Sequence, residues 1–98
     1  MNNAQNYRTS DYADLWNNEQ AQVSISGTAD QTPELPEGIY DVWTDVDCYI
    51  KVDEDASGVT TSNGYLLRAD NTIPIYVRSG HKIGVIGTSG TLSYHRIG

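Results

Sequence analysis

Two histidines, His81 and His95, are the ordinary general-base candidates in this chain of 98 residues, and neither has a nucleophile in a recognisable context. No G-x-S-x-G elbow, phosphate-cradling glycine loop, C-x-x-C or H-E-x-x-H occurs. His81 follows Ser79-Gly80 and precedes Lys82, which reads as a loop tip, while His95 alternates with Tyr94 and reads as facing solvent or a partner. A zinc site built from Cys48, His81 and His95 would need a fourth ligand and convergence from three strands. Cys48 belongs instead to an apolar alternation with Ile50 and Val52, so it is expected in the core.

Carboxylates offer a second chemistry. Asp45 and Asp47 fall in one turn and Asp53, Glu54 and Asp55 in the next, which supplies the hard oxygen ligands calcium prefers. A strand of about five residues lies between the two turns, and at roughly 3.3 Å per residue it holds them about 16 Å apart, too far for one ion. The EF-hand spacing is absent. Pairs of carboxylates for glycoside hydrolysis can be found among any 13 acids, and nothing in their spacing selects one. The expectation is a protein that is not an enzyme, with no catalytic residue, no metal and no cofactor.

The elements that must carry these residues are short strands. Val23 and Ile25 alternate with serines up to Gly27, and residues 28–38 form a Pro-containing linker of the kind that crosses between sheets. Strands follow at 39–44 and 48–52, separated by the acidic turn at 45–47. Asn63-Gly64, between Val59-Thr60-Thr61 and Tyr65-Leu66-Leu67, predicts a type I′ hairpin. Ile73, Ile75 and Val77 alternate around Pro74, which marks an edge strand or a strand start. Turns at Ser79-Gly80 and Ser89-Gly90 lead into strands at 83–86 and 92–94. About eight short strands without intervening helices predict an all-β fold, an antiparallel β-sandwich or jelly roll over residues 22–98.

Residues 1–21 differ in character, being rich in Asn and Gln. Ser10 can cap a short helix whose Tyr12, Leu15, Trp16 and Glu19 share a face, so an N-terminal arm or helix is expected. Such a helix needs packing to persist, either on its own sandwich or on another chain.

Thirteen acids against six bases give a formal charge of -7, which argues against nucleic acid and against an anionic membrane surface as partners. The longest apolar run falls far short of the roughly 20 residues that span a bilayer. Residues 1–10 lack the apolar stretch of a secretory signal, and a single cysteine is compatible with synthesis in a reducing cytoplasm. The charge is also uneven. Nine acids and one base lie between Asp30 and Asp55, whereas residues 56–98 hold one acid and four bases. This pattern reads either as solvated faces or as opposite-sign surfaces that meet between copies.

Laid out in order, Gly38-Ile39-Tyr40, the run Asp47 to Val52, Leu67-Arg68-Ala69, Pro74 to Val77 and Lys82 to Ile86 resemble the steps of small all-β structural proteins of tailed bacteriophages, of capsid decoration or cement type. The resemblance covers residues 36–98. It implies a virion component, made in the host cytoplasm, that binds the major capsid protein or another virion protein and stabilises the shell. A neck, tail or fibre accessory protein is the alternative position. Such modules are commonly symmetric oligomers, so a dimer or trimer is expected. The candidate interface residues are Tyr12, Leu15 and Trp16 on the arm, with Trp43, Tyr49 and Tyr76 on strand faces. A competing class is a glycan-binding sandwich module, in which exposed Tyr and Trp stack on sugar rings. Three aromatics in one exposed row would mark that class, and dispersed aromatics near a seam would mark the cement.

Overall fold

Alternation of apolar and polar side chains fixes which face of each strand turns inward. In β3 (Gly38–Thr44), Tyr40, Val42 and Thr44 are buried while Ile39, Asp41 and Trp43 point outward. In β8 (Gly90–Arg96), Leu92 and Tyr94 are buried between more exposed neighbours. The same period of two places Val23 and Ile25 of β1 (Ala21–Ile25) and Cys48 and Ile50 of β4 (Cys48–Asp53) in one core. The structure, a computed structural model, describes residues 21–98. The arm and helix expected before Ala21 lie outside the described residues.

The remaining strands are β2 (Asp30–Gln31), β5 (Tyr65–Leu67), β6 (Thr72–Val77) and β7 (Lys82–Gly87). The described residues form two antiparallel sheets with orders β1-β8-β3-β6 and β2-β7-β4-β5. The pairs nest: β1 with β8, β2 with β7, β3 with β6 and β4 with β5, and β3–β8 and β4–β7 join the nested pairs within each sheet. Only β4 and β5 are paired strands that are consecutive in the chain. This is the wrapped-hairpin topology of an eight-stranded jelly roll, and it differs from the immunoglobulin arrangement. The all-β sandwich expected from the strand spacing is therefore the fold of the described residues.

The crossing from β2 to β3 shows how polar groups are settled where the chain changes sheets. Pro33 ends the β2 ladder because it has no N–H. Thr32 takes over on both sides: its N–H donates to the Ile83 carbonyl at 2.9 Å, and its Oγ1 accepts from the Ile83 N–H at 3.0 Å. Its hydroxyl donates to the Pro33 carbonyl at 2.8 Å, so this buried side chain is fully partnered. Tyr40 then anchors the start of β3 by donating its hydroxyl to the Pro36 carbonyl at 2.7 Å, a corner of the kind seen where strands turn between sheets. Pro74 sits in β6, which pairs with β3 alone, so the expected edge position is observed.

The Asn63-Gly64 hairpin is not formed. A type I′ turn needs positive φ at both central residues, and among the described residues only Asp70 and Gly80 have positive φ. Asn63 acts through its side chain instead: its Oδ1 accepts from the Thr60 N–H at 2.8 Å and its Nδ2 donates to the Gly58 carbonyl at 3.2 Å. The Gly64 N–H closes the loop on the Thr60 carbonyl at 2.9 Å. Residues 59–61 are consequently no strand, and β5 pairs with β4. The segment 54–64 folds over the outer face of the second sheet, where Ala56 and Val59 are buried.

Gly84 makes that covering possible. A Cβ there would collide with the carbonyl oxygen of Ala56, whose N–H is held by the Gln31 Oε1 at 2.9 Å. Gly84→Ala is expected to lift the 54–64 segment and lower unfolding free energy by about 1–3 kcal/mol. Gly58→Ala, with open space around its Cβ, should be neutral or slightly stabilising. Urea denaturation of both variants checks this contrast.

Candidate functional site

The two outer faces of the sandwich are unlike each other. On the second sheet, Tyr49 points outward but is half-buried, with Gly64 of the covering segment packed close to its Cβ. On the first sheet the corresponding face carries no such cover among the described residues. Its outward side chains come from β1 (Gln22, Ser24), β8 (Thr91, Ser93, His95), β3 (Ile39, Asp41, Trp43) and β6 (Thr72, Pro74, Tyr76).

This face has two ends. At one end Ile39 is paired with Tyr76, and Ile97, just beyond β8, donates its N–H to the Ile39 carbonyl at 2.7 Å. These three side chains are exposed at 41%, 54% and 42%, and they form an apolar row across three adjacent strands. The Tyr76 hydroxyl donates to a carboxylate oxygen of Glu37, which raises its pKa above the ordinary value and pins the ring at the rim. At the other end Trp43 is half-buried, in register with Thr72 on one side and Ser93 on the other.

The candidate interface residues therefore separate. Trp43 and Tyr76 share the outer face of the first sheet, four positions apart along the strands, and Tyr49 lies on the opposite side of the sandwich under its own loop. Tyr12, Leu15 and Trp16 lie outside the described residues. Among the described residues there is no exposed row of three aromatics. Sequence reasoning missed Ile39 and Ile97, because a single exposed isoleucine in an alternating strand looks like any other strand residue. The signal available was the odd parity of Ile39 against Tyr40 and Val42.

The groups considered for catalysis are placed apart or put to structural use. Cys48 is fully buried, and that burial chiefly pushes its thiol pKa up, away from a reactive thiolate. His81 is half-buried in a turn, where its carbonyl accepts from the Leu35 N–H at 3.0 Å. Asp45 Oδ1 accepts from the Thr91 N–H and Asp47 Oδ1 from the Ala69 N–H, both at 2.8 Å, so both carboxylates tie neighbouring loops together. Asp55 accepts from the Ser57 hydroxyl at 2.6 Å and from its N–H at 3.1 Å, and these bonds lower its pKa. No three His, Cys, Asp or Glu gather as metal ligands among the described residues. The uneven charge along the chain is also folded together at one place: β7 sets Lys82 opposite Asp53, and the Lys82 ammonium donates to the Glu54 carbonyl at 2.9 Å.

Two mainly apolar hollows lie among the described residues. One, of about 230 Å³, opens beside Tyr40, Tyr94 and Leu35. The other, of about 430 Å³, opens between the sheets at the β5 and β6 edges, beside Ile50, Tyr65, Ile73 and Ile75. Both are mainly apolar and carry no pair of facing acid and base groups. No protein family, curated protein or solved structure matches this chain.

Three buried acids set an alkaline limit. Burial raises Tyr40 and Tyr94 above 10.0, with the Arg96 guanidinium opposing the effect at Tyr40, and it raises Cys48 above 9.0. Folded values above unfolded ones mean that the stabilisation is complete below the unfolded values and is lost as pH rises through the folded ones. The urea midpoint should hold up to about pH 8 and fall above about pH 9. Cys48→Ala should remove the earlier part of the fall and Tyr40→Phe the later part. A midpoint that stays flat into the tyrosine range would contradict the assignment.

Proposed function

We propose that this chain is a non-enzymatic structural protein of a tailed bacteriophage particle, a capsid decoration or cement protein that docks through the outer face of the β1-β8-β3-β6 sheet. It binds the major capsid protein, is made in the host cytoplasm, and acts in the virion as a dimer or trimer. The observation that carries this reading is the exposed apolar row of Tyr76, Ile39 and Ile97 on the face that no other described segment covers. Exposed apolar groups gathered on one face favour burial against a partner. Three residues furnish only the centre of an interface, since a stable one needs about 800 Å² per partner, and the polar neighbours Glu37 and Arg78 supply its rim.

Three further points support the reading. The wrapped two-sheet topology is one that viral shell proteins use repeatedly. The motif run from Gly38 to Ile86 resembles phage structural modules. No exposed row of three aromatics is present among the described residues, so the mark of a long sugar-stacking platform is missing there. A cement protein has no need of a reacting centre, because it works by burying surface across neighbouring shell subunits.

The test is co-sedimentation with empty capsid shells assembled from the major capsid protein encoded in the same genome. Saturable binding is expected, with Tyr76→Asp and Ile39→Asp each weakening it at least about tenfold, the usual scale for a central interface residue. Both variants should keep the native circular dichroism spectrum, since both positions face outward. Absence of binding by the unaltered protein would overturn the proposal.

A further inference from the structure

The other end of the same face holds six side chains that the docking reading does not use. Gln22, Ser93, Trp43 and Thr72 stand in register as one row across β1, β8, β3 and β6. Asp41 and His95 stand opposite each other in the row beneath. With strands about 4.8 Å apart, the first row spans about 14 Å. Together the six line a hollow of about 430 Å³, within the range of about 300–1,000 Å³ that small-molecule sites occupy. Among the described residues, none of the six side chains hydrogen-bonds to another protein group.

The chemistry of the lining narrows the ligand. One indole offers an apolar plate, and around it stand an amide, two hydroxyls, a carboxylate and an imidazole. A purely apolar ligand would bury those five polar groups without partners, which is costly. A nucleotide would stack on the indole, but its phosphates would meet Asp41 on a chain of net charge -7. A neutral pyranose satisfies both parts, since its C–H face stacks on an aromatic ring while its hydroxyls both donate and accept. A single indole suits a single ring, a terminal or isolated sugar unit rather than a long polysaccharide.

We propose that this hollow is a saccharide site in which Trp43 stacks on one neutral pyranose ring and Asp41, His95, Gln22, Thr72 and Ser93 bind its hydroxyls. Asp41 is the orienting acceptor, because a carboxylate takes hydroxyl hydrogens in short charge-assisted bonds. The site lies on the same outer face as the Ile39 row, four strand positions away, so a partner docked across the whole face would cover it, and it is a property of the free chain, tested without the shell.

The experiment is a titration of the full ¹⁵N-labelled chain with the methyl glycosides of glucose, galactose, mannose and N-acetylglucosamine, with glucuronate as the anionic comparator. The expected result is a saturable, millimolar response of the Trp43 indole N–H and of the Asp41, Thr72 and Ser93 amides to at least one neutral sugar. Trp43→Ala should abolish it, and Asp41→Asn, which keeps the side-chain shape, should weaken it about tenfold. Leu66→Ser, on the other sheet, should leave it unchanged. The proposal is overturned if none of the four neutral sugars gives a saturable response, if the responding amides lie away from the hollow, or if glucuronate binds in their place. Unchanged binding by a folded Trp43→Ala or Asp41→Asn variant would overturn it as well.

Discussion

β8 is held on both sides, by β1 and by β3, and this pairing of the last strand with the first is the constraint on which the sandwich depends. Val23 is set opposite Leu92, and Leu92 opposite Thr44, so the inner row of the first sheet is assembled from residues far apart in the chain. Among the described residues, the innermost nested pair, β4 with β5, is the sole pairing between consecutive strands. Every other pairing closes a longer loop and costs chain entropy before its apolar contacts form. Such topologies fold on the slow side of the small-domain range. The hydrogen bonds of Thr32 and Tyr40 brace the crossing between the sheets.

Once that closure is made, the two outer faces receive different fates from local sequence. The second sheet meets its own 54–64 segment, fitted against Gly84 by Ala56 and tied down by Asn63. The first sheet is left with its outward side chains free among the described residues, apolar at the Ile39 end and polar around Trp43. Function is assigned to this face because it holds what the core and the loops do not use. The carboxylates that first suggested calcium are occupied elsewhere, Asp45 and Asp47 in binding loop amides and Asp55 in its own turn.

Much of the fold was legible because period-two alternation is a local signal. Cys48, Ile50 and Val52 were assignable to one inward face from their neighbours alone; Cys48 and Ile50 are buried, and Val52 is partly buried against the core. The strand count was also right, but one member was not: residues 59–61 are a loop, and Asp30–Gln31 is a strand. The Asn-Gly pair has the composition of a tight hairpin, yet the Asn63 amide reached Gly58 and Thr60 and stabilised a wider loop. In the linker, two residues ahead of Pro33 were enough to pair with β7, and the Thr32 side chain extended the ladder. The site was less legible than the fold. That Trp43, Gln22, Ser93 and Thr72 form one row depends on the registers of four strands, and no single stretch of sequence encodes them.

The most direct measurement is hydroxyl-radical footprinting of the protein, free and bound to capsid shells, read by mass spectrometry. Binding should protect Ile39, Tyr76 and Ile97, while Tyr65 and Leu66 at the edge of the second sheet oxidise as in the free protein. Protection of Tyr65 and Leu66 with Ile39, Tyr76 and Ile97 unchanged would contradict this expectation and move the docking surface to the other side of the sandwich.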